Sequence, residues 1–181
     1  MNPGRTMLVA ALMLAGGSLA ADEPAGPGSL LESPQPLADA IGARFGKDVR
    51  VRRLSIQPAS ADVEAQDPAR PENLDRYEFE DGAFAPPEPI QAGRNRRENE
   101  ARLFPLADVD LSLVPRLLAD ARGRAETPEA RVVSVVIERT QGYGEYSSWG
   151  WPLMTFSVNG PRGGAVVEYD LKGTHKRTSR W

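Results

Sequence analysis

The same succession of hydrophobic periods occurs twice in this chain, and that succession limits the fold more than any other feature. Leu37, Ile41 and Phe45 recur every four residues, the spacing of one helical face. Ser33 before Pro34 predicts the N-cap and first turn of that helix, and Gly46 its C-cap. From Asp48 the period changes. Val49 and Val51 share one parity while Leu54 and Ile56 share the other, which predicts a strand with a bulge near Arg52-Arg53. Residues 58–73 contain three prolines and four carboxylates, so a solvated loop is expected there. Arg76 to Glu80 alternates cleanly and runs into Asp81-Gly82, a strand followed by a tight turn.

After a charged stretch the order returns. Val114, Leu117, Leu118 and Ala121 fall at i, i+3, i+4 and i+7, with Asp110 or Ser112 available as a cap, Pro115 in the first turn and Gly123 at the end. Val133, Val135 and Ile137 then alternate against Val132, Ser134 and Glu138. A second strand covers residues 154–158, and Asn159 to Gly164 forms a hairpin turn rather than a phosphate cradle, because no lysine or helix follows it. The third strand turns Ala165, Val167, Tyr169 and Leu171 inward. Tyr77-Glu78-Phe79-Glu80-Asp81-Gly82 echoes Val167-Glu168-Tyr169-Asp170-Leu171-Lys172-Gly173 with one residue inserted. The expectation is an α+β fold of two α-β-β-β units joined edge to edge, with helices packed on one face of an antiparallel sheet.

The N-terminal residues predict export. Arg5, the apolar run Met7 to Ala15 and the exit Ser18-Leu19-Ala20 have the layout of a secretory signal cleaved after Ala20, with Ala21 as the rival site. That run is too short to span a bilayer, so the mature form is expected to have no membrane span. The expected organisation is therefore a signal over 1–20, a flexible leader over 21–29, a first unit over 30–92, a charged linker over 93–107 and a second unit over 108–181. The chain has no cysteine and one histidine, His175. Thiol nucleophiles, disulfides and multi-histidine metal sites are thereby excluded, and no cofactor or metal is expected. A net charge of −3 argues against nucleic acid as a partner. Export without cysteines fits the bacterial periplasm.

Three segments carry a family likeness: Val114 to Ala121, the strand Val132 to Arg139, and Val167-Glu168-Tyr169-Asp170-Leu171-Lys172-Gly173. With the repeated order, they resemble small periplasmic domains of the PepSY type and their β-lactamase-inhibitor-like relatives. The resemblance covers about half of the mature chain and contains no chemical motif. It implies a binding or inhibitory module rather than an enzyme.

Residues 141–152 hold four aromatics among glycine and serine: Tyr143, Tyr146, Trp149 and Trp151. Such a mixture gives large, rigid contact area on an adaptable backbone, although the same rings can fold back to cover a sheet. The expected binding residues are these four with Lys176 and Arg177, which would steer an acidic partner, and the expected partner is a periplasmic or envelope protein. No catalytic residue is assigned. Glu78 with Glu80 and Glu168 with Asp170 share strand faces, and Glu98 and Glu100 lie in the linker; a catalytic pair needs environments that drive its two pKa values apart. A carbohydrate-active or hydrolytic protein using Glu145 and a second carboxylate, and a passive envelope structural protein, are the alternatives. His175 and Ser179, in the basic C-terminal stretch, lack the orienting acid of a triad.

Overall fold

The computed structural model describes residues 28–46, 48–91, 96–141 and 149–181, with backbone alone at 96, 141 and 149. The predicted signal and most of the leader, residues 1–27, lie outside the described residues. The chain is already packed at Ser29, whose buried hydroxyl accepts from the Leu31 amide at 3.3 Å. The first helix, α1 (Gln35–Phe45), buries the expected stripe of Leu37, Ile41 and Phe45. Pro34, not Ser33, occupies the N-cap, and no side chain caps that end. Proline supplies a preset φ instead. Gly46 ends the helix at φ 71°, a conformation that costs glycine little.

Three long strands follow: β1 (Arg50–Ile56), β2 (Ser60–Asp67) and β3 (Arg70–Glu80). The pairing register shifts between Val51 and Arg53, the predicted bulge. The solvated loop expected over 58–73 is instead β2 and the start of β3. Ala61, Val63 and Ala65 point into the core while Asp62 and Glu64 point out, where they bind Arg76 at 2.7 Å and Arg52 at 2.6 Å. Small inward residues and paired outward charges make a strand that composition alone hides. The turn at Asp81 (φ 51°) and Gly82 (φ 83°) leads into β4 (Ala83–Phe84), and β5 (Glu88–Pro89) also pairs with β3.

The connection between halves is structured in part. It contains α2 (Arg96–Arg102), β6 (Phe104–Pro105) and two 3-10 turns, Leu106–Asp108 and Leu111–Leu113. Asp110 caps the second turn by accepting from the Ser112 amide at 2.9 Å. Helix α3 (Val114–Ala125) buries Val114, Leu117, Leu118, Ala121 and Ala125. It runs through Gly123 and stops at Glu126, which takes the left-handed conformation expected of glycine. Arg180 holds that end, donating to the Arg124 carbonyl at 2.7 Å and to the Glu126 carboxylate at 2.8 Å.

Four strands complete the fold: β7 (Arg131–Gln141), β8 (Trp149–Gly160), β9 (Gly163–Asp170) and β10 (His175–Arg180). In β7 a register shift between Val132 and Ser134 puts Val132, Val135 and Ile137 in the core and leaves Val133 39% exposed. Straight alternation predicted the reverse for Val132 and Val133; a bulge changes the phase by one residue. Ala165, Val167 and Tyr169 face inward as expected, and Leu171 only partly.

All pairings are antiparallel and the main order is β10-β9-β8-β7-β1-β2-β3-β4. The two units meet where β1 pairs β7, with Leu54 opposite Ile137 and Ile56 opposite Val135. Outward from that join each unit runs first, second and third strand, so the order mirrors itself. Residues of α1 and α3 share one buried cluster with the inward residues of both units. This is the α+β arrangement of two α-β-β-β units with helices on one face. The other face carries a cross-strand charge row, Arg76, Glu64, Arg53 and Glu138, alternating in sign, which favours one register over its neighbours.

Candidate functional site

Pairing of β7 with β1 ends at Glu138 opposite Arg53, and Val51 instead faces Phe104 of β6. A cleft of about 670 Å³ opens beside this change of partner, lined by Phe104, Arg139, Trp151, Leu153, Leu171 and Lys172 together with Asp108, Asp170 and Lys176. Its size lies within the range of natural ligand clefts. Arg139 braces the wall: its Nε donates to the Leu103 carbonyl at 3.2 Å and its Nη1 to the Gly150 carbonyl at 3.0 Å. Arg50 donates to the same Leu103 carbonyl at 3.1 Å.

Strand β8 sets the aromatic rim. Pro152, Met154, Phe156 and Val158 are buried, so the odd-numbered residues face away from the core. Trp151 is accordingly 84% exposed, and it stands where the register against β7 shifts, between Pro152 opposite Arg139 and Trp149 opposite Gln141. The opposite wall is the turn after β9. The Asp170 carboxylate accepts from the amides of Lys172 at 3.0 Å and Thr174 at 2.9 Å, and from Lys176 Nζ at 2.9 Å. Burial works against the Asp170 charge, but Lys176 and the two amides outweigh it and hold the carboxyl below its ordinary range.

Of the six expected binding residues, the cleft brings together Trp151 and Lys176. Tyr143 and Tyr146 lie outside the described residues, as does Glu145, and of Trp149 only the backbone is described, opening β8 opposite Gln141. Arg177 does not line the cleft; it binds the buried Glu168 with two donors, at 2.8 and 3.1 Å. Sequence reading missed Arg139, Lys172, Leu153 and Phe104. Arg139 and Lys172 flank the aromatic segment and the Asp170–Gly173 turn, so cations at strand ends were the available signal.

Glu168 and Asp170 are held in ion pairs on the sheet. Glu168 pairs with Arg177, and Asp170 is pushed in the direction opposite to that of a general acid. His175 bonds Thr178 Oγ1 at 2.9 Å and packs edge-on against Tyr169, with ring centroids 5.8 Å apart. It sits in an edge strand, β10, not a loose tail. Among the described residues no three His, Asp or Glu side chains converge as metal ligands, and no helix is long and apolar enough to cross a membrane.

No family model and no curated protein matches this chain. The fold has a counterpart among solved structures: a crystal structure described as a candidate lipoprotein from Clostridium difficile 630 superposes with a TM-score of 0.56 at 12% identity, over 86% of this chain and 100% of that one. At that identity the likeness is one of fold.

Proposed function

We propose that this protein is a non-catalytic protein-binding module of the bacterial envelope, an inhibitor or accessory subunit that docks a partner through the cleft and its Trp151 rim. The carrying observation is the placement of Trp151, 84% exposed where the register of β8 against β7 shifts, on the rim of an apolar-walled cleft. A large indole left in water gains by burial in a partner's pocket, which makes it an anchor for binding. Envelope location is supported by the signal layout of residues 1–20 and by the description of the structural counterpart as a candidate lipoprotein. We read the shared helix-then-strands order and the mirrored sheet as the basis for proposing an internal repeat and, with it, a PepSY-type relationship.

The test is affinity capture from periplasmic extract with the tagged mature chain and its Trp151→Ala variant. Because Trp151 packs little of its surface, the variant retains its melting temperature. A specific partner is retained by the parent and weakened by about 2 kcal/mol or more, some thirtyfold, in the variant. Capture that is unchanged by Trp151→Ala would refute this surface.

A further inference from the structure

Two of the cations at the cleft end of the sheet already have carboxylate partners. Lys176 binds Asp170 and Arg177 binds Glu168, each a neutral pair. Among the described residues, exposed Lys172 makes no ion pair and the Arg139 guanidinium meets only the neutral carbonyls of Leu103 and Gly150. Against these two charges, among the described residues, the lining offers the single unpaired carboxylate of Asp108. The cleft is therefore locally basic in a chain of net charge −3.

Lys172 is also held in place. Its amide is fixed by Asp170, the Gly173 amide donates to the Asp170 carbonyl at 2.9 Å, and Gly173 turns at φ 79° so close to α3 that a Cβ would lie 2.9 Å from Arg116 Nη2. A cation on such a turn meets its partner with its backbone already ordered. The same cleft has apolar lining from Leu153, Leu171 and Trp151. Trp151, 84% exposed, presents most of its indole to solvent on the cleft rim, a surface that suits a polypeptide occupant.

Resting on the cleft as the contact surface, we propose that its occupant is an extended acidic segment of the partner protein. An apolar side chain lies against Trp151 and Leu153, and carboxylates meet Lys172 and Arg139. The steering charge then resides on these two residues rather than on Lys176 and Arg177.

The probe is a blocked hexapeptide of alternating Asp and Leu, titrated calorimetrically beside its Asn and Leu counterpart. The acidic peptide is expected to bind about tenfold tighter at low salt, with the preference shrinking in about 0.5 M salt. Lys172→Glu should abolish the preference. Trp151→Ala should weaken both peptides. Equal affinity for the two peptides, a preference unmoved by Lys172→Glu, or no binding of the acidic peptide at about 1 mM, some −4 kcal/mol, would overturn the proposal. None of these results would touch a partner capture that depends on Trp151, so the two readings fail separately.

Discussion

Tyr169 ties the sheet to α3 through a single oxygen. Its buried hydroxyl donates to Asp120 Oδ2 at 2.7 Å, and Arg124 Nε donates to the same atom at 2.6 Å. Those two donors, Arg124 first, hold Asp120 below its ordinary 3.8. A depressed carboxyl stabilises the fold above its unfolded value and loses that contribution as pH falls through the folded one. Asp120→Asn should therefore be less stable than the parent at pH 7, with the gap closing in urea titrations as the pH drops below 3.8. Burial, and then the Asp120 carboxylate, raise the Tyr169 phenol, so its share of stability is complete below its ordinary 10.0 and is lost as pH rises toward the folded value. Tyr169→Phe should cost about 1–2 kcal/mol at neutral pH and remove that alkaline share. Gly164 is constrained differently. A Cβ there would lie 2.6 Å from the Val158 carbonyl and 2.6 Å from the Trp181 ring. Gly164→Ala should cost about 1–3 kcal/mol, and adding Trp181→Ala should recover only part of it, because the β8 carbonyl stays in the way.

Magnitudes at the central join of β1 and β7 decide what holds the units together. Ile137 is fully buried opposite Leu54, whereas Arg53 and Glu138 meet at 3.9 Å with side chains 44% and 35% exposed. Ile137→Ala should cost about 2–5 kcal/mol and Arg53→Ala less than about 1 kcal/mol, both read by denaturant unfolding. The same contrast explains what was legible in the sequence. Apolar stripes identified α1, α3, β1, β8 and β9, because burial imposes their periods. The bulge in β1 was visible because two valines and then leucine and isoleucine change parity across Arg52-Arg53. In β7 the adjacent valines Val132 and Val133 conceal the phase change, because either could be the inward residue. Strand β2 was hidden because alanine carries little hydrophobic signal and Asp62 and Glu64 suggested solvent, when their arginine partners come from neighbouring strands. The cleft was half legible. Trp151 and Lys176 stood out by type, but Arg139 and Lys172 reach one cleft only through the β7–β8 and β8–β9 pairings.

The whole molecule shares one core across both units, from Leu37 of α1 to Tyr169 of β9, and so should unfold in one step. All three tryptophans lie in the second unit, which makes their fluorescence a local reporter. Val63→Ala in β2 of the first unit should lower the fluorescence midpoint as much as the circular-dichroism midpoint; a fluorescence midpoint that stays put would mean that the units melt independently. The mirrored sheet leaves one end with the cleft and its indole, and the opposite end with the charged tip of β3. Photocrosslinking in periplasmic extract from a reactive residue at position 151, with position 80 as the control, tests the central claim most directly. One protein crosslinked from 151 and absent from 80 is the predicted result. No crosslink, or the same proteins from both positions, would contradict a docking surface at Trp151.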